Sequence, residues 1–446
     1  MIYSDLYDFL YPYKKLSLAE IQEKLVHFEA SKLEKLIQDL FKYVKHDYFQ
    51  SHSYFNFYAS APFAGGDFPC SGADCRLQNL DDLARFSSLY ADKVLVPSPI
   101  DKHYDMLVEN KKPDIYELAI SIKTLHNLEP LVKANIIGYT SHHLCLCRDC
   151  LQKIVKKENE ALRNLSLIHD YLTSDFAATV GCRLERDNHN TAYFSFRGGE
   201  KFGFHDQVDL MIYEETAEIK KLFSESQSPY IDITSEQIVS LGLADYTIMK
   251  ITNDLLYAQI YMDPVDSSFL TNRPYDIDVL AAMEGNKREP SENINVLQQL
   301  VPLVKGSQIT DLVRVRQNEG EAFQVYRDSI NQTLKNTRIS DARILNDLRR
   351  DVIDPEIHQM EVILKNNKKV LAGEALRDIA IIGAGLSIGY FSGLIPLDSM
   401  AVAGLIGGLP TLCNIINKLH ESRTDSVIKN SKYYFLWKLI TMEKSK

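Results

Sequence analysis

A helical period recurs along most of this chain and constrains its fold more than any other feature. Ser17-Leu18-Ala19-Glu20 has the spacing of a capping box, in which a serine oxygen and a glutamate carboxylate satisfy amide donors left free at a helix start. Behind it Ile21, Leu25, Phe28, Leu33, Leu36, Ile37, Leu40 and Phe41 recur mostly at three- and four-residue steps, giving one apolar face that reads as core. The same pattern predicts helices over 81–90, 114–137, 151–172 and 235–262, the last with Thr234 and Gln237 at capping-box spacing. Long charged helices with narrow apolar stripes are predicted over 308–337, 340–353 and 356–371, as in an extended helical hairpin or coiled coil.

Strand signals are fewer. Lys93-Val94-Leu95-Val96 stops at Pro97 and Pro99 and reads as a short buried strand. Residues 192–196, 201–204 and 208–213 form alternating runs around Gly198-Gly199. A glycine turn with positive φ at both positions would make a hairpin there, with Phe194 and Phe196 facing Phe202 and Phe204. The expected fold class is therefore α+β and predominantly α-helical. A small antiparallel sheet lies in the middle, and a long helical hairpin and a Gly-rich apolar helical pair lie at the C-terminal end. Three segments follow: a helical module with Cys/His loops over 1–180, a mixed α/β module over 181–300, and a helical stalk over 301–446 that carries an apolar hairpin at 379–417.

Hydrophobic residues make up 45% of the 446 and charged residues 25%. That ordinary balance excludes a disordered tail, a collagen and a multi-span transporter. Sixty acidic against fifty basic residues leave a net charge of −10, which disfavours generic binding of nucleic acid. The first fifteen residues lack a basic-then-apolar signal pattern, so a cytoplasmic protein is expected. Association with the inner membrane would come from 379–417. Ile379 to Leu397 and Ser399 to Asn417 are uncharged runs near the roughly 20 residues that span hydrocarbon. Gly385, Gly389 and Gly393, then Gly404 and Gly408, recur at i, i+4, the spacing that lets two membrane helices approach closely. The competing arrangement buries the same glycine-lined pair inside a soluble helical scaffold.

Six of the seven cysteines lie between positions 70 and 182. Cys70 and Cys75 flank a Gly-containing loop, and Cys147 and Cys150 immediately precede a helical run. Zinc takes four tetrahedral ligands, commonly as two pairs each held in one turn. These four thiolates form a candidate structural zinc site, with Cys145, His142 or His143 as alternates for one ligand. A thioredoxin-like role for Cys147/Cys150 is set aside because no β-α-β pattern is apparent around them.

No phosphate-binding glycine loop and no G-x-S-x-G elbow occurs, and Ala380 to Gly385 lacks the third glycine of a dinucleotide loop. Asp209 on one predicted strand, with Glu218-Ile219-Lys220 on the next, could hold Mg²⁺ for phosphodiester cleavage. Over that short segment the spacing resembles restriction-endonuclease-like nucleases. The main functional expectation is a non-enzymatic sensor, effector or interaction protein that associates with a membrane through its glycine-rich hairpin. Its C-terminal helices would engage a protein partner or a second copy, and the layout suits a bacterial accessory protein of defence type. The alternatives are a metal-dependent nuclease using Asp209, Glu218 and Lys220, and a soluble scaffold.

Overall fold

The computed structural model describes residues 4–47, 56–261 and 268–279, with short interruptions, together with 302–304, 308–318, 320, 323, 381–383 and 387–390. Three N-terminal helices come first: α1 (Ser4–Leu10), α2 (Leu18–Val26) and α3 (Ala30–Tyr43). The Ser17 capping box forms as expected, with the Ser17 amide donating to Glu20 at 2.7 Å and the Glu20 amide donating to Ser17 Oγ at 3.3 Å. Ile21 and Leu25 of α2 and Leu33, Leu36, Ile37 and Leu40 of α3 are buried, so the apolar face is core.

The chain then enters a mainly parallel sheet that helical periodicity does not reveal. It runs β1 (Asn56–Ala59), α4 (Ala73–Tyr90), β2 (Lys93–Pro97), α5 (Asp101–Val108), α6 (Ile115–Lys133) and β3 (Ile137–Thr140). These are two successive β-α-β crossovers, and both end at β3, before Cys147 and Cys150. Later come β8 (Ser268–Thr271) and β11 (Ser387–Tyr390), giving the order β11-β8-β1-β2-β3. All neighbours pair in parallel except β11 with β8. The strands read as short apolar runs because both faces are covered. Phe57, Ala59, Val94, Val96, Ile137, Tyr139 and Leu270 face one core, with α1–α4 and α6. Tyr58, Leu95 and Phe269 face the other.

The second core is completed by α7 (Arg148–Thr179), α8 (Ala217–Glu225), α9 (Ser235–Ser240), α10 (Leu243–Tyr261) and a small antiparallel sheet. That sheet comprises β4 (Gly181–Arg186), β5 (Ala192–Arg197), β6 (Gln207–Met211) and β7 (Tyr230–Ile233), in the order β6-β5-β4-β7. The expected antiparallel sheet is present, but its turn differs. Gly198 has φ +75°, whereas Gly199 has φ −101° and leads into a 3-10 turn over Glu200–Phe202. Phe194 and Phe196 therefore pair with Leu210 and Val208. Phe202 and Phe204 drop out of the ladder into the core, where Phe202 packs 4.9 Å from the Phe176 ring. The long helix expected over 235–262 is two helices, α9 with its Thr234–Gln237 capping box and then α10.

The chain is thus mixed α/β. Its main sheet draws strands from all three segments expected from the sequence. Of the stalk, β9 (Pro302–Val304) and α11 (Ile309–Asn318) are described, the latter inside the expected helix 308–337. In the first glycine-rich run the described residues are strands, not helix: β10 (Ile381–Gly383) pairs with β9, and β11 covers the edge of β8, with Gly389 opposite Phe269. Ile381, Ile382, Ile388 and Tyr390 are strand-favouring residues, and β11 satisfies an edge that β8 would otherwise leave open. Gly385, Gly393, Gly404 and Gly408 lie outside the described residues. Among those described, no helix is long and apolar enough to cross a membrane.

Candidate metal centre

In an open parallel sheet, the loops leaving the carboxyl ends of the strands collect on one edge, where such folds place their ligands. Here β2 and β3 run side by side to matched ends, Pro97 opposite Thr140, and the Ser98 amide extends the ladder to the Thr140 carbonyl at 2.7 Å. The next residues are then brought together: Asp101 and Asp105 on α5, and His142 and His143 just past β3.

Their contacts form a connected set. His142 Nδ1 lies 3.1 Å from Asp101 Oδ2, and its Nε2 lies 3.1 Å from Asp105 Oδ2. His143 Nε2 is 2.8 Å from Asp105 Oδ1. Asp101 is buried and also accepts the His142 backbone N–H at 3.0 Å. The donor atoms of Asp105, His142 and His143 all lie within 4.8 Å of one another, and these three residues are partly exposed.

Surrounding packing fixes the rings. Phe41 and Tyr104 stack at 3.8 Å, and His143 meets both edge-on at 5.1 Å. The Tyr257 ring stands 5.7 Å from that of His142. Behind β3, the Asp47 amide donates to the Tyr139 carbonyl at 2.8 Å, and the Ser141 amide donates to His46 Nδ1 at 2.9 Å. Burial lowers the His46 pKa, which keeps its ring neutral and able to accept.

The hydrogen bond to Asp101 raises the His142 pKa against the opposing effect of burial, and the Asp101 and Asp105 charges add to the rise. Burial pushes Asp101 upward, but hydrogen bonds from His142, Ser141 and Ser98 outweigh it and hold the carboxyl below its ordinary range. Burial raises the Tyr257 hydroxyl, aided by the carboxylates of Asp105, Glu158 and Asp101.

The same strand edge is held by two buried arginines. Arg76 of α4, fully buried, donates from Nε to the Gly65 carbonyl at 2.9 Å and from Nη1 and Nη2 to Glu117 of α6 at 2.6 and 2.8 Å. Lys102 pairs with the same carboxylate. After β8, Arg273 is equally buried and pairs with Asp254 at 2.8 Å and Asp276 at 2.9 Å.

The residues singled out in the sequence lie elsewhere, except for the histidines. The Cys70 thiol raises the pKa of Cys75, and the Cys147 thiol raises that of Cys150. Among the described residues no group of three or more of these thiols lies close enough together to hold one ion. The first pair lies on the connection after β1 and the second on that after β3, with β2 between those strands. Cys145 lies outside the described residues.

Asp209 is exposed on β6, as a strand residue should be. Glu218 and Lys220 are exposed on the helix α8, which is capped by the Thr216 hydroxyl, so the strand-to-strand arrangement of the nuclease motif does not form. Asp101 and Asp105 were missed. Their signal was an Asp-x3-Asp pattern opening a helix directly behind the proline-bracketed strand β2. In comparisons with known proteins, no family, no curated protein and no solved structure matches the chain.

Proposed function

We propose that the protein binds one divalent transition-metal ion, zinc first, and uses it to activate water for hydrolysis. The ligands are His142 Nε2, His143 Nε2 and the Asp105 carboxylate. The contact between Asp101 and His142 Nδ1 carries this reading. A buried carboxylate that takes the far imidazole nitrogen fixes the tautomer and turns the near nitrogen toward the ion, as outer-shell carboxylates do at metal sites. Two imidazoles and one carboxylate leave a coordination position for water, which is the composition of catalytic rather than structural zinc. Bound zinc brings the pKa of water from 15.7 to about 7, so hydroxide forms near neutrality. Partial exposure of all three ligands gives a substrate access to that position.

The test uses the full chain, stripped by a chelator and titrated with zinc in a calorimeter. One equivalent should bind, and His142→Ala and His143→Ala should each weaken it at least about tenfold. The loaded protein is then assayed on ester and phosphodiester probes. Absence of binding, or affinity unchanged in both variants, overturns the site. Binding without any hydrolysis leaves the centre but overturns its catalytic use.

A further inference from the structure

Neither β-α-β crossover contains Cys147 or Cys150, which follow β3 at the start of α7, so the case for a redox role rests on the immediate surroundings of these thiols. Cys147 is the N-cap residue of α7, and both thiols are exposed. Cys147 at the N-cap and Cys150 three residues on share the first turn of α7. No side chain of α7 is buried before Ala161, so the pair stands at the tip of a projecting helix. A shallow open groove beginning at Leu151 and Val155 runs along that helix from the dithiol.

We propose that Cys147 and Cys150 are a dithiol–disulfide exchange site whose substrate is a disulfide borne by another protein. The Cys147 thiolate attacks one sulfur of the substrate disulfide, forming a mixed disulfide and expelling the other sulfur as thiolate, which takes up a proton. The Cys150 thiol gives its proton to solvent and attacks the Cys147 sulfur. That step breaks the mixed disulfide, releases the second substrate thiolate and closes the Cys147–Cys150 bond. Two electrons pass from the dithiol to the substrate, which leaves as two thiols.

The order of attack follows from position. Cys147 makes no conventional cap hydrogen bond, yet the free amides of Cys150 and Asp149 and the Cys150 thiol lie close enough to hold its pKa down, with Lys153 adding to the effect. The neighbouring Cys147 thiol pushes the Cys150 thiol up. This is the division between an attacking and a resolving thiol. Leu151 and Val155 give the groove an exposed apolar patch against which a peptide segment can lie.

Glutathione disulfide is the probe, used on the full chain carrying Cys145→Ser so that only the paired thiols are read in this segment. Peptide mapping after acid trapping should find a Cys147–Cys150 disulfide. Cys150→Ser should accumulate a stable glutathione adduct on Cys147. Cys147→Ser should form the Cys150 adduct at least about tenfold more slowly. Equal rates in the two single variants, or no closure of the pair, overturn the proposal. So does a purified chain in which these two thiols hold zinc and resist the probe. None of these outcomes depends on the centre at His142.

Discussion

Replacing Glu117 with Gln tests how the Arg76 cluster holds the loop after β1. In the fold the Glu117 carboxyl lies well below its ordinary value of 4.5, at about 2. Burial works against this ionisation, and the hydrogen bonds and charges of Arg76 and Lys102 overcome it. At about 1.4 kcal/mol per pH unit, the depression is worth about 3 kcal/mol of stability near neutrality, trimmed to about 2–3 kcal/mol for the part of the side chain that water reaches. The sign is fixed by linkage. A carboxyl depressed in the fold contributes fully above its unfolded value and loses that contribution as pH falls from about 4.5 through about 2. Glu117→Gln should therefore lower stability by about 2–3 kcal/mol at pH 7, and its deficit against the native chain should shrink by about half near pH 3. Burial also pushes His103 down, to about 3. The Glu117 charge opposes that shift, so the deficit includes a His103 contribution as pH approaches 3. Equilibrium urea unfolding followed by far-ultraviolet circular dichroism, repeated from pH 7 to pH 3, measures the deficit. A deficit that stays constant across this range, or is absent at pH 7, refutes the electrostatic account of the Arg76 cluster.

Two further substitutions probe β3 and the proposed metal site that follows it. Asp101→Asn keeps the shape of the side chain but removes the carboxylate that orients His142; zinc affinity in calorimetry should fall about 10- to 100-fold with circular dichroism unchanged, and unaltered affinity would show that Asp101 does not orient the ring. Gly138→Ala would place a Cβ 2.9 Å from the Asp47 Cβ and Cγ, against a carboxylate that pairs with Lys93 at 2.7 Å. Overpacking there should reduce stability by about 1–3 kcal/mol in urea unfolding, whereas full native stability would mean that the Asp47 segment is free to move away from β3.

The parts of the fold visible in the sequence are those whose information is local. A capping box needs four residues, and both examples, at Ser17 and Thr234, formed where their spacing put them. Strand β2 was readable because prolines stop it. Strands β1 and β3 are four residues each and are buried on both faces, so neither alternates, and β3 was absorbed into the helical pattern that precedes it. The actual stop is Asn135, in a left-handed conformation at φ +59°, with the Ile136 amide returning to the Leu131 carbonyl at 2.9 Å. Asparagine is among the few residues that tolerate that conformation, so the signal was present but small. Strands β8 and β11 complete the sheet from far along the chain, and no local pattern announces such pairing.

The same distinction applies to the cluster at His142. Reading thiols by spacing favours donors that share one loop, and it led to two cysteine pairs treated as halves of one zinc site. Donor sets in a parallel sheet are assembled differently, because every crossover returns to the same edge and delivers its next loop beside the previous one. Asp101 and His142 are 41 positions apart, yet meet at 3.0 Å because Pro97 and Thr140 are in register one step earlier. The sequence named His142 only as an alternate to a thiolate, because its neighbours Asp101 and Asp105 depend on the strand β3, whose residues continue the helical pattern before them. Once β3 is a strand, His142 and His143 leave its end on the side where α5 begins, and Asp101 and Asp105 follow one helical turn apart on the face that meets them. The topology of β2 and β3 brings these four side chains together, and the spacing of residues within either loop serves only to aim them.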